Sequence, residues 1–506
     1  MNVRPFISTV LSMIIAASAA VGGLNPRERD PVVIAGVDLS ALIGVSPNRI
    51  VAFRYNGSWT QIPVQVDERV RVDYGVVYND APVGLLTLAY ADPNTFTGPD
   101  NNPDFDNNDE LVFMASDVGL LAPPGTGHPA GVVVGSGLRV RVDDPLGGTV
   151  GYAYLFETDG SLTPDAGQDY VQYSFNLLAG DYLSNYSTLV GPNPESSIAQ
   201  SAFYRVHFSD RWIRDETNVF AGGASGADIL DRHKPMFAPG NCSRTEETFS
   251  NGEGAFFTNK DGPVRAIRSY MGANSGPITQ RDHFFYRQRE DIITTLRVHQ
   301  IAGIMDVFDY SPAAAGMTYY DNLNLAGWAV DGAPDAAAIG SLTWELVTGA
   351  QGSLAMALSF DTDIPGFADT SYYSDDATPS VTQCTGDAFE YATSGPRVNQ
   401  PIPNTDPLLG THNNLASTRV IYYEAPNQPP SVAEFLAQQA ANPLTTTIAG
   451  FGCDEDLDGS GEVDLTDLAL LLSAFGVDAG GDINGDGVTD LTDLALLLSA
   501  FGQMCS

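Results

Sequence analysis

Lysine is almost missing from this 506-residue chain, occurring only at Lys234 and Lys260. The other basic residues are arginines, and acidic residues outnumber the basic ones 62 to 24, for a net charge of −38. A surface of that sign repels nucleic acid and anionic membranes, which excludes both as partners. It suits a protein that meets divalent cations or high salt. Long apolar runs are also missing after the N-terminus, so no later segment is long enough to span a bilayer. The established catalytic signatures are absent: there is no G-x-S-x-G, H-E-x-x-H, G-x-x-x-x-G-K-[ST] or G-x-G-x-x-G. Cysteine is scarce, with Cys242, Cys384, Cys453 and Cys505 as the full set. Three pairings exist on paper. We expect Cys242–Cys384 in the main region and Cys453–Cys505 around the tail, with free thiols as the alternative. The second bridge would stabilise by roughly 4 kcal/mol in the loop-entropy picture.

Among what is present, the first residues speak to compartment. MNVR is a short basic start, Phe6 to Ala17 is apolar, and Ser18-Ala19-Ala20 supplies small residues for cleavage. Residues 1–20 read as a secretory signal peptide. The alternative of a membrane anchor needs a longer apolar run. The expected location is secreted, extracellular or at the cell surface, where disulfides form.

The C-terminus repeats itself. DLTDLALLLSAFG runs from Asp464 to Gly476 and again from Asp490 to Gly502. Each copy follows a glycine-broken acidic loop, DLDGSGEVDLTD at 456–467 and DINGDGVTDLTD at 482–493. Oxygen-bearing side chains occupy loop positions 1, 3, 5, 9 and 12, and glycine occupies position 6. A hard cation wants six to eight oxygens, so ligands must alternate inward along a tight loop, and glycine permits its sharp turn. The assigned calcium ligands are Asp456, Asp458, Ser460, Asp464 and Asp467, with the Glu462 carbonyl. In the second loop they are Asp482, Asn484, Asp486, Asp490 and Asp493, with the Val488 carbonyl. Ser460 is a neutral, weaker donor, which predicts lower affinity in the first loop. An acidic solvated turn is the alternative, and two full-length matches at fixed spacing argue against it. On a helical wheel Leu465, Leu468, Leu471, Leu472 and Phe475 share a face that should pack the repeats together. Leu470 and Leu496 fall on the opposite side, as partner anchors or as residues buried under the main region.

With its paired loop-helix units and Asp at position 12, the tail resembles a type I dockerin module. The resemblance covers residues 453–506. It implies two bound calcium ions, a small all-α module and a cohesin-like or other surface receptor. Cellulosomal dockerins often carry Ser-Thr at loop positions 10 and 11 and basic residues further along the helix. Here those places hold Leu465-Thr466 and Leu491-Thr492, then Leu472-Ser473 and Leu498-Ser499. The departures bear on the partner and leave the calcium assignment intact.

Residues 21–444 read as strands joined by polar turns. Ile50–Val66 has two β-favouring runs around Asn56-Gly57, a hairpin signal. Leu138–Val142, Val150–Phe156 and Arg419–Glu424 continue the pattern. The best helical stretch is a closing helix at 431–441, opened by Ser431 with Glu434 in capping-box spacing. Residues 445–452 read as a linker. The expected fold is mainly β, a large β-sandwich-type region of one or two sub-domains before the small all-α tail. Asp100, Asp104, Asp106 and Asp109 are dense enough for a further cation site, or form a solvated turn before the strand LVFM. From Arg205 to Arg297 the balance shifts to 13 basic against 12 acidic residues, with His207, His233, His283 and His299 among aromatics. As a continuous strand, this segment would place His283, Phe285, Arg287 and Arg289 on one face. Arginine could neutralise a uronate while Tyr or His moves the adjacent proton, which makes His283, Tyr286 and Arg287 catalytic candidates for an acidic-polysaccharide lyase. The alternative is that these arginines pair with the abundant carboxylates and the aromatics form core. The stretch GPVRAIRSYMGANSG, Gly262–Gly276, resembles a strand of galactose-mutarotase-type supersandwich proteins and carries no residue across.

Together these readings predict an exported calcium-binding protein docked through its tail to a surface partner, with a β-rich region for polysaccharide binding or processing. A non-catalytic adhesion or surface-layer component is the alternative, and the lyase a second one. Whether the main region is an enzyme is left open by the sequence.

Overall fold

The structure is a computed structural model. It describes residues 24, 26–123, 126–148, 150–179, 192–239, 242–252, 254–273, 279–296, 300–378, 384–403, 413–451, 454–458, 460, 462–484 and 486–503. The expected leader at 1–20, His299, Cys453 and Cys505 lie outside the described residues.

Alternation of apolar and polar residues sets the strands, and the protein is mainly β, with six sheets among the described residues. Leu138–Asp143 alternates buried and half-buried positions along its length. It lies in a five-stranded sheet between Thr445–Gly450 and Gly151–Glu157, followed by Ile50–Tyr55 and Trp59–Ile62. The expected hairpin is present in that sheet, with Tyr55 opposite Trp59 and Gly57 at φ 87° in the turn. A three-stranded sheet of Pro31–Ala35, Glu110–Met114 and Gln65–Asp67 shares its core, where Ile34 and Phe113 meet Ile50, Val140 and Leu155.

The larger body is built on a nine-stranded antiparallel sheet. Its order is Ala255–Lys260, Ala266–Met271, Gln280–Phe285, Arg289–Thr295, Leu415–Glu424, Gly352–Thr362, Trp344–Gly349, Thr318–Asp321, Trp328–Ala329. Two four-stranded sheets pack on one face through a core that includes Tyr204, Phe208, Phe285, Phe308, Met356 and Tyr423. The helix Pro430–Ala441 covers part of the other face with Ala433 and Leu436 against Trp344 and Tyr422.

Three local expectations are corrected. Residues 445–450 are no linker: they add an edge strand to Leu138–Asp143, and their exposed outer side makes the run look polar. Ser431 does not cap the closing helix, which starts one residue earlier at Pro430 with no side-chain cap. Proline's fixed φ makes it a natural first helical residue. The segment 283–289 is not one strand. Tyr286 N–H donates to Arg289 O at 2.8 Å, closing a hairpin that puts Arg287 in the turn and Arg289 on the next strand. The predicted bridge Cys242–Cys384 is present, with its Cα atoms 5.1 Å apart.

Candidate metal centres

The tail's two helices, Leu465–Ala474 and Leu491–Ala500, each begin at an aspartate that ends a loop. Asp464 accepts from Thr466 N at 2.6 Å, and Asp467 Oδ2 accepts from Asp464 N at 2.7 Å. The second copy repeats this, with Asp490 accepting from Thr492 N at 2.7 Å and Asp493 from Asp490 N at 2.8 Å. These reciprocal bonds satisfy N–H groups that the first helical turn leaves unpaired. Asp467 and Asp493 are wholly buried, and each reaches back into its loop: Asp467 accepts from Asp458 N at 2.9 Å, Asp493 from Asn484 N at 3.0 Å.

In the first loop Asp456, Asp458 and Asp467 bring one carboxylate oxygen each within 4.8 Å of one another. Ser460 N–H donates to both Asp456 and Asp458, at 3.0 and 2.9 Å. The Ser460 hydroxyl donates to the Glu462 carbonyl at 3.1 Å, so positions 5 and 7 converge as well. Three carboxylates this close repel strongly in a partly buried site, and a divalent cation is the natural remedy. In the second loop Asp482 accepts from Asp486 N at 3.1 Å and Gly487 N at 2.6 Å; among the described residues its carboxylates do not come as close together as those of the first loop. Asn484 Nδ2 there donates to Asp486 at 3.1 Å. All donors are hard oxygens, which fits calcium better than a softer metal.

The repeats pack on each other across a pseudo-twofold. Gly502 N–H donates to Val463 O at 2.8 Å, and Gly476 N–H to Thr489 O at 3.0 Å. Each loop's eighth residue thus meets the end of the other helix. Val463, Leu471, Ile483 and Leu497 form the shared core. The expected packing face is partly wrong. Leu468, Leu471 and Phe475 do face the core, but Leu465 is 71% and Leu472 is 54% exposed. Asp467 must turn inward to its loop, and Leu471 and Ala474 follow it at i+4 and i+7. That ordering swings Leu465 and Leu472 outward, and Leu491 and Leu498 match them at 72% and 54%. Leu470 is exposed as predicted, whereas its repeat mate Leu496 is half-buried against the tail core. The wheel misplaces Leu465 and Leu472 because Asp467 reads as a surface residue, which turns the apparent apolar face away from the side where Asp467, Leu471 and Ala474 are buried. The ion pair of Arg139 with Asp454, which the sequence does not signal, ties the tail to the second strand of the five-stranded sheet.

The stretch around Asp109 forms a turn. Asp109 is wholly buried and accepts from Asp106 N at 2.8 Å and Arg69 N at 2.9 Å. Among the described residues, Asp100, Asp104, Asp106 and Asp109 do not bring three ligand atoms as close as the tail loop does.

The basic middle of the chain is interior. Arg214, Arg268 and Arg281 are at most 1% exposed. Arg268 forms a bidentate pair with Glu195, at 2.6 and 2.8 Å, and Arg281 pairs with Asp306 at 3.1 Å. His283 is wholly buried between Tyr270 OH at 3.1 Å and Glu290 at 3.0 Å. Burial pushes its imidazole down to about 4. Burial works against the Glu290 carboxylate, but Arg214 and His283 hold it down to about 2. Glu290 is already matched by Arg214 at 2.9 Å, so an imidazolium here would be a surplus buried charge. Tyr286 is buried, with its hydroxyl 3.4 Å from Arg265, while exposed Arg287 lies over the rings of Tyr170 and Phe203. His283, Tyr286 and Arg287 therefore share no solvent-facing cleft. A groove of about 580 Å³ runs between the closing helix and the nine-stranded sheet. Asn322, Thr343, Ser359, Thr418, Gln438 and Glu434 line its polar part.

No family model matches the chain. No curated protein matches it either. Among solved structures there is similarity to an Escherichia coli K12 protein provisionally assigned as an aldose 1-epimerase. The identity is 12%, the TM-score 0.23, and the match covers 50% of this chain and 99% of that one. At that TM-score the likeness carries no argument about this chain.

Proposed function

We propose that this is an exported protein whose C-terminal dockerin-like module takes up two calcium ions and docks the β-rich region to an extracellular or surface partner. The observation that carries the reading is the doubled loop-helix unit, in which a buried aspartate, Asp467 or Asp493, both caps the first turn of a helix and closes an acidic loop. Calcium would fix the two helix starts together. The outward leucines Leu465, Leu472, Leu491 and Leu498 would then form the docking face, with Leu470 on the other side of its helix. The partner is a cohesin-like or other surface protein.

For the β-rich region, polysaccharide binding without chemistry is favoured over lyase action. Of the candidates meant to act on a uronate, His283 and Tyr286 are buried, His283 against Glu290, while exposed Arg287 lies over the rings of Tyr170 and Phe203, apart from both. The open groove beside the closing helix offers neutral amides and hydroxyls with one carboxylate, Glu434, which suits sugar hydroxyls better than acid-base catalysis. An adhesion or surface-layer role is the second reading, supported by the same burial.

Capture from an envelope-protein extract by the full chain tests the docking. Retention is expected in calcium and loss in chelator. Leu472→Asp with Leu498→Asp should abolish capture while leaving calcium uptake unchanged. Capture that survives chelator and both substitutions would refute the proposal.

A further inference from the structure

One of the two lysines is buried against a carboxylate. Lys234 lies on the strand Leu230–Phe237 and is 2% exposed; Asp309 lies on the neighbouring strand Ile304–Tyr310 and is wholly buried. Lys234 is opposite Val307, so Asp309 is its diagonal neighbour on the same sheet face. The Nζ atom contacts Asp309 Oδ2, and the Thr393 hydroxyl on the next strand donates to Oδ1. Met236, Met305 and Val307 form an apolar cluster on these strands, with Tyr372 of the strand Thr370–Asp376 packed against it.

A cover closes over the pair. The Cys242–Cys384 bridge joins the segment before the helix Glu246–Asn251 to the loop that carries Gly386. Gly386 sits at φ 72°, and a Cβ there would lie 2.1 Å from Asp231 Oδ2 and 3.3 Å from Lys234 Cε. Only glycine lets the loop come so close. Glu246, the first residue of that helix, is wholly buried, and the Thr385 side chain favours its charged form. Burial pushes it up to about 7, and Arg232 at 3.8 Å and Lys234 are the cations that act on it. Burial likewise pushes Asp309 up to about 7. Asp231, Asp309 and Asp387 bring carboxylate oxygens within 4.8 Å of one another, but the Lys234 ammonium, in contact with Asp309 and 3.9 Å from Asp231, already supplies the cation there.

We propose that Lys234 and Asp309 condense into an intramolecular isopeptide bond, with Glu246 as the proton relay. Lys234 first gives one ammonium proton to the Asp309 carboxylate it contacts; the resulting amine attacks Asp309 Cγ, an N–C bond forms, the C–OH bond breaks, and one water leaves. Glu246 takes a proton from the nitrogen, passes it to the departing oxygen and ends as it began. No oxidant, reductant or energy carrier is needed. Two features favour the step. The fold holds amine and acid in contact, which replaces a bimolecular encounter with an intramolecular one. The amide also removes two charges whose burial is costly.

Intact-mass measurement on the reduced, denatured full chain reads the outcome. Wild type should be lighter by one water than the mass expected for its chain, and proteolysis should release a branched peptide joining positions 234 and 309. Lys234→Arg and Asp309→Ala should each keep full mass. Glu246→Gln should also keep full mass while near-ultraviolet circular dichroism and an intact Cys242–Cys384 bridge report a native fold. A folded wild type that keeps full mass after prolonged incubation overturns the bond. A Glu246→Gln chain that cross-links as fast as wild type overturns the relay.

Discussion

At the scale of single residues, burial decides between readings that the sequence left balanced. His283 was a plausible proton carrier until its position was known. Inside the nine-stranded sheet, next to a Glu290 already neutralised by Arg214, it is a neutral core group. Its folded-state value of about 4 lies below the roughly 6.5 of an unfolded histidine. The unfolded chain therefore takes up a proton on acidification that the folded chain refuses. The stability is present above about pH 6.5 and is lost as pH falls toward 4. Between about pH 7 and about pH 5 this one group should cost roughly 2 kcal/mol. Urea midpoints across that window should fall for wild type, and His283→Gln should flatten the slope. An unchanged slope in the variant would mean that His283 titrates near its ordinary value. The acidic tail loops were legible because Asp, Asn and Ser recur at fixed spacing, and that local pattern places their side chains together. Lys234 and Asp309 were not, since 75 residues separate them and neither belongs to a local pattern.

Elements were legible in proportion to how local their cause is. Leu138–Asp143 and Ile50–Tyr55 announce themselves by alternation, and the repeated helix by its loop. The turn at Arg287-Gln288 has no Gly, Asn or Asp to mark it, so two strands read as one. The edge strand Thr445–Gly450 looks like a linker because its partner lies 300 residues earlier. The tail helices carry a prediction of their own. Each is 10 residues long, too short to persist in water alone, and each takes its start from a loop aspartate. Chelator should remove helical ellipticity while the β signal persists, and calcium should restore it. Helical signal indifferent to chelator would mean that the leucine core alone supports the helices.

Across the whole molecule, the scarcity of positive charge and its placement belong together. Arg214, Arg265, Arg268, Arg281 and Arg289, with both lysines, are spent on ion pairs within or at the edge of the β-rich body, leaving a strongly acidic exterior. The nine-stranded sheet was not legible at all, because strands such as Arg289–Thr295 and Leu415–Glu424 pair across a long insertion that carries no sequence signal of its own. The acidic exterior and the tail loops share an excess of carboxylates, and the central claim is that the tail converts calcium into a docking surface. Calorimetric titration of the full chain with calcium tests this most directly. The account predicts two ions bound per chain, one after Asp467→Ala or Asp493→Ala, and none after both. No calcium uptake by the wild type, or uptake untouched by the double substitution, would contradict it.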